Sequence, residues 1–223
     1  MKYLLLILTV SSVLISACAI PIDNTGKPAT PDYSGSSMIV PDAQVKKLIV
    51  FPAIYTDSFK NETSEIYRKK KGDLLTSMVY NELALNRVNI RLVPHFETLK
   101  VYKELSSRHP GYPDLDISRM VAEELNADSV LLTRISRYSD RKGSEVGVKE
   151  PASVSLTFEL YSAGSGKMLW VYHYGETQEP LLNNVSNINK FIKRGAKWIT
   201  ADELAREIVG RAVVKLQSAI NNK

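Results

Sequence analysis

The chain contains a single cysteine in 223 residues, Cys18. With no second thiol, disulfide staples are excluded and the fold has to hold by packing alone. Histidine is almost as scarce: His95, His109 and His173 fall at spacings that match no metal-ligand signature such as H-E-x-x-H. No glycine-rich phosphate loop occurs, because AGSGK at Ala163 to Lys167 lacks the Walker spacing and joins two strand patterns. The nearest approach to a carboxylate pair, Glu145 and Glu150, flanks a loop in which acids are ordinarily solvated. The excess of 29 basic over 24 acidic side chains, a net charge of +5, is too slight to indicate a nucleic-acid surface. These absences predict no enzyme, no metal, no non-covalent cofactor and no nucleic-acid partner.

What is present begins with MKYLLLILTVSSVLISAC. One positive charge at Lys2, an apolar run and small residues before Cys18 form the n-region, h-region and cleavage site of an export signal. The run is shorter than the roughly 20 apolar residues a spanning helix needs. Ile15-Ser16-Ala17-Cys18 further resembles the bacterial lipobox, in which cleavage precedes the cysteine. That resemblance implies a signal peptide over 1–17 and an acylated Cys18, carrying chains such as palmitate, as the first mature residue. Each buried CH₂ contributes about 0.8 kcal/mol, so several chains on one residue anchor stably to a lipid bilayer. Ala19 follows the cysteine where some relatives of this type carry aspartate, which by resemblance implies the outer membrane, periplasmic face.

Residues 18–45 read as the lipidated cysteine and a disordered tether. Pro21, Pro28, Pro31 and Pro41 alternate there with glycines and serines, and no apolar period survives. About 25 such residues span on the order of 28 Å root-mean-square. Residues 46–223 read as a single domain, and the 44% hydrophobic content suits one that buries a real core.

Within that domain, Leu48 to Phe51 form a short continuous apolar run ended by Pro52, a strand buried on both faces. From Ser64, helical spacing places Leu74, Leu75, Met78, Val79 and Leu83 on one stripe, with Asn86 as the stop. A second strand over Asn89 to Val93 leads into a helix with Phe96, Leu99, Tyr102 and Leu105 inward. Asp116 is placed as the cap of the next helix, with Ile117, Met120, Val121 and Leu125 as its apolar face. The period then changes to two: Val154, Leu156, Phe158 and Leu160 alternate with Ser153, Ser155, Thr157 and Glu159. The glycines of Ala163 to Lys167 supply a hairpin, so three strands form a meander. Thr200 and Glu203 make a capping box for the last helix, whose Gly210 permits a close contact. The predicted fold is α/β (α+β): a mixed sheet of about five strands in the order β-α-β-α-α-β-β-β-α, closed by the C-terminal helix.

This order, the LIVFPAIY strand, the strand entry at Ala127 to Leu132 and Gly166 to Trp170 resemble one superfamily of envelope proteins. It holds the N-terminal domain of the Tol-system B protein, the curli-secretion-channel lipoprotein and the lipoprotein activators of penicillin-binding proteins. The resemblance implies an envelope protein acting by contact with other proteins. It also raises a channel alternative, in which the hairpin of Ser153 to Ser162 and Met168 to Gln178 would cross a membrane with Trp170, Tyr172 and Tyr174 outward. The opposing expectation is that this apolar face meets the helices.

Two polar stretches offer binding sites. Phe191, Lys193, Arg194, Lys197 and Trp198 form the candidate partner contact, with Trp198 alternatively plugging the core as a staple to the last helix. Arg68, Lys69, Lys70 and Lys71 form a candidate anionic-surface patch, against a solvated loop. The expected role is a lipid-anchored accessory or assembly factor of an envelope complex, with an envelope protein of unknown identity as partner and a homo-oligomer left open. The alternatives are a subunit of an oligomeric outer-membrane secretion channel and, without a visible site, an envelope hydrolase.

Overall fold

The computed structural model describes residues 33–34, 38–39, 45–57, 60, 63–86, 90–144, 148–178, 192, 194–195 and 197–221. All of them belong to the unit Asp32–Lys223. The elements in chain order are β1 Tyr33–Ser34, β2 Met38–Ile39, β3 Lys47–Val50, β4 Ile54–Tyr55, α1 Glu65–Leu85, β5 Arg91–Leu92, α2 His95–Arg108, α3 Asp114–Glu124, β6 Ser129–Ser139, β7 Lys142–Gly143, β8 Val148–Glu150, β9 Ser153–Ser162, β10 Met168–Thr177 and α4 Ala201–Asn221. Among the described residues, no helix is long and apolar enough to cross a membrane.

One mixed sheet organises the domain, in the order β1-β10-β9-β6-β3-β5. Strands β5, β3 and β6 are parallel, while β6, β9 and β10 form the predicted antiparallel meander. The core part follows the predicted β-α-β-α-α-β-β-β-α sequence of elements. Alternation along β3 explains its apolar run: Leu48 and Val50 enter one core cluster, Ile49 and Phe51 the other. The first cluster lies under α1 and α4, with Leu75, Val79, Leu204, Ile208 and Val213. The second lies under α2 and α3, with Ile117, Val121 and Ala122. Both faces of β3 are therefore buried, as a central strand between two helix layers requires.

Local chemistry fixes the joints. Pro52 carries no N–H, and beyond it β4 resumes pairing with β6 at Ile54↔Arg134, one register step off the Val50↔Leu131 pair. The Ala53 N–H inside this bulge donates to the Thr76 hydroxyl of α1 at 2.9 Å. Asp128 accepts from the Lys46 N–H (3.1 Å), the Lys47 N–H (3.0 Å) and the Ser129 hydroxyl (2.7 Å), tying the start of β3 to the start of β6. Asn126 takes a left-handed φ of 49° after α3, where the Ala127 N–H reaches the Ala122 carbonyl at 2.8 Å.

Several local readings shift. Helix α3 begins at Asp114, and Asp116 sits in its first turn where its charge meets the helix dipole, not at the cap. Phe96 points outward; Thr98 is the buried residue of α2, with Val101, Tyr102 and Leu105 partly buried beside it. The β5 strand is only two residues long. A small β7–β8 hairpin is inserted between β6 and β9. The tether reading of 18–45 also changes at four residues, because Tyr33, Ser34, Met38 and Ile39 pair antiparallel with β10 and cover its outer edge. Ser64 caps α1 and Asn86 ends it, as expected.

Candidate functional site

The two polar stretches singled out in the sequence meet different fates. Cys18, Phe191 and Lys193 lie outside the described residues. Arg194 is not a free surface cation: its side chain is 10% exposed, and it grips Glu176 of β10 at 2.8 Å and Glu207 of α4 at 2.6 Å. Burial alone would lower the guanidinium pKa, but the two carboxylates hold it above the usual value. Glu176 also accepts from the Tyr174 hydroxyl (3.0 Å), which in turn accepts from Arg211 (2.8 Å). This is a clasp between sheet and last helix, so Arg194 is corrected from partner contact to structural ion pair.

Lys197 and Trp198 are half-buried. The core plug is Ile199, 4% exposed, and not Trp198. It precedes Thr200 and shares a cluster with Leu204, the positions of a hydrophobic staple. The capping box itself forms: Glu203 accepts from the Thr200 N–H at 2.8 Å, and the Glu203 N–H donates to the Thr200 hydroxyl at 3.2 Å.

The basic run divides in a similar way. Lys71 is buried, 6% exposed, with its ammonium 2.5 Å from Asp202 and 3.3 Å from Asp140. It lies over the rings of Tyr138 and Tyr67, 5.1 and 5.5 Å from their centroids. Burial opposes its charge, yet the two aspartates raise its pKa overall. Asp202 is likewise pressed upward by burial, and hydrogen bonds from Lys71 and from the Tyr138 hydroxyl (2.8 Å) lower it overall. Lys71 therefore cannot meet a lipid surface. Arg68 is spent on the preceding loop, donating to the carbonyls of Lys60 (2.7 Å) and Thr63. Only Lys69 and Lys70 of the four are exposed.

A polar, largely buried face that the residue pattern did not mark as a site lies on the meander. Trp170, Tyr172 and Tyr174 face α4, stack on one another at 6.0 and 6.4 Å and are buried, so the aromatic side of the hairpin is core. The opposite face carries Arg134 and Ser136 of β6, Ser155, Thr157 and Glu159 of β9, and His173 of β10. Its groups are linked across strands: Arg134 to Glu159 at 2.9 Å, Ser136 to Ser155 at 3.1 Å, and Thr157 to His173 at 2.8 Å. Burial first, and the nearby Arg137 charge second, lower the His173 pKa, which keeps the imidazole neutral at pH 7. Ser155 and Glu159 are buried, and Arg134, Ser136, Thr157 and His173 are half-buried, so only part of this polar layer reaches the surface. Its signal was the period-two polar pattern, whose members lie on three separate strands.

Among the described residues, no group of three or more His, Cys, Asp or Glu could hold a metal ion. No protein-family model and no curated protein matches the chain. Solved structures do. They include the PelC dodecamer from Paraburkholderia phytofirmans, at 17% identity over 82% of this chain and 96% of that one, with a TM-score of 0.46. The LpoB C-terminal domain from Salmonella enterica matches at 16% identity over 62% of this chain and 87% of that one, TM-score 0.40. TolB from Acinetobacter baumannii matches at 12% identity over 85% of this chain and 31% of that one, TM-score 0.36.

Proposed function

We propose that this chain is a lipid-anchored accessory or assembly factor of a bacterial envelope complex, held at the periplasmic face of the outer membrane and acting by contact with an envelope protein. One observation carries the reading: the lipobox-type sequence ending at Cys18 stands ahead of an α/β domain whose sheet is packed on both faces. Covalent lipid on Cys18 is the only prosthetic group the reading requires, and the protein performs no catalysis of its own.

The domain suits a contact role because its strongest charge clusters, around Lys71 and Arg194, are internal fastenings. The half-buried Thr157 and His173 of the meander, with the half-buried Lys197 and Trp198, are the positions assigned here to partner contact. Labelling cells with a palmitate analogue should mark the wild-type protein and not Cys18→Ala, and membrane fractionation should place only the former with outer-membrane markers. Photo-crosslinkers at Thr157, His173, Lys197 and Trp198 should then capture one envelope protein from the acylated form. Unlabelled wild-type protein, or no crosslink from any of the four positions, would overturn the reading.

A further inference from the structure

The end of the sheet formed by Ser139, Ser153 and Thr177 brings together features of different origin. Strand β1 runs antiparallel to β10 with Tyr33 opposite Gly175, so the chain enters the sheet at this end. Helix α1 begins here too: the Tyr67 hydroxyl donates to the Tyr138 carbonyl at 3.2 Å, and Lys71 reaches Asp140 just past β6. On the first turns of α1, Ile66, Lys69 and Lys70 fall at i, i+3 and i+4 and share one face. Ile66 is 84% exposed, more than any other large apolar side chain described. The two lysines stand in the second turn of α1, both exposed.

We propose that Ile66, Lys69 and Lys70 form a contact patch for an anionic phospholipid surface, and that it holds this end of the sheet toward the bilayer. An apolar side chain flanked by lysines on one helix face is the composition of an interfacial contact: the isoleucine enters the acyl boundary, and the ammonium groups stay among phosphate oxygens. The inference rests on the anchoring reading above. Asp32 follows Cys18 by 14 positions in the sequence, a length that an extended chain covers in at most about 50 Å and a flexible one in roughly 20 Å. The pairing of β1 with β10 is then an orienting device: it fixes where the chain enters, and the patch supplies a second, weaker attachment that stops free tumbling.

The test uses the full acylated protein in phosphatidylcholine vesicles with and without about 30% phosphatidylglycerol. Cys18 is the only native cysteine, and acylation blocks its sulfur, so a cysteine introduced elsewhere takes a fluorophore alone. The probe is placed at Ile66 in one variant and at Gly164, in the turn at the opposite sheet end, in another. A bilayer-embedded quencher should quench the Ile66 probe in the anionic vesicles and leave the Gly164 probe unaffected. Lys69→Glu with Lys70→Glu should lower that quenching about tenfold or more, since each lysine contributes appreciably at an anionic surface. Added salt should lower it in the same direction. Equal quenching at the two positions, or none at Ile66 in protein that floats with the vesicles, overturns this inference and leaves the anchoring reading intact. Protein that does not float with vesicles at all overturns both.

Discussion

Removing the Arg194 guanidinium should destabilise the domain, not merely a contact. In Arg194→Ala, Glu176, whose side chain is 4% exposed in the wild type, loses the Arg194 guanidinium. Breaking a buried pair from one side costs roughly 3–5 kcal/mol. The Tyr174 hydroxyl still donates to Glu176, and the second arm ends on Glu207, which is 37% exposed and can be solvated. The lower end, about 3 kcal/mol, is therefore expected. For a domain of this size 1 kcal/mol moves Tm by about 2–4 °C, so the midpoint should fall by about 6–12 °C. Arg194→Met combined with Glu176→Gln should recover much of the loss, since the pair is then replaced and not orphaned. Thermal denaturation followed by circular dichroism measures the wild type, Arg194→Ala and the double variant. If Arg194→Ala melted within a degree of wild type while partner capture dropped, the clasp would be dispensable and Arg194 would return to being an interface residue.

Further outcomes follow from other fastenings. Asp202 has a lowered pKa, so its contribution is complete above the ordinary aspartate range and fades as pH falls through that range toward the depressed value. The stability gap between wild type and Lys71→Met, measured by urea denaturation, should accordingly narrow or reverse between pH 7 and pH 3; a constant gap would remove Asp202 from the account. Asp128→Ala should cost on the order of 2 kcal/mol in the same assay, because it strips the acceptor from the backbone N–H groups of Lys46 and Lys47. Trp170→Ala should cost about 3–5 kcal/mol in detergent-free solution, as a buried core aromatic does. A neutral result there would favour a membrane-facing hairpin. Gly166→Ala should also destabilise, since φ is +67° and a Cβ would stand 3.1 Å from the Arg119 guanidinium.

Elements with dense local signals were legible in the chain. The ends of α1 at Ser64 and Asn86, the capping box of α4 and the β9–β10 hairpin each depend on neighbours within a few residues, so their chemistry is written contiguously. Gly210 does not mark a close approach: where its Cβ would stand, Glu82 of α1 lies at an ordinary contact distance of 3.7 Å. Phe96 was misread because a helical period fixes relative phase and not which stripe the sheet will cover. The strand pairing of Tyr33–Ser34 and Met38–Ile39 was invisible because edge strands of two residues carry no period of their own.

The candidate sites divide in the same way. By itself, the sequence determined the element order, the two-sided burial of β3 and which face of the meander is apolar, since alternation and helical period are properties of contiguous residues. Whether a charge is free or fastened was decided only by tertiary structure. Lys71 meets Asp202 across 131 positions and Arg194 meets Glu176 across 18. A lysine in a basic run and a lysine between two aspartates look identical until the chain closes, because partners far apart in sequence leave no mark on each other's neighbours.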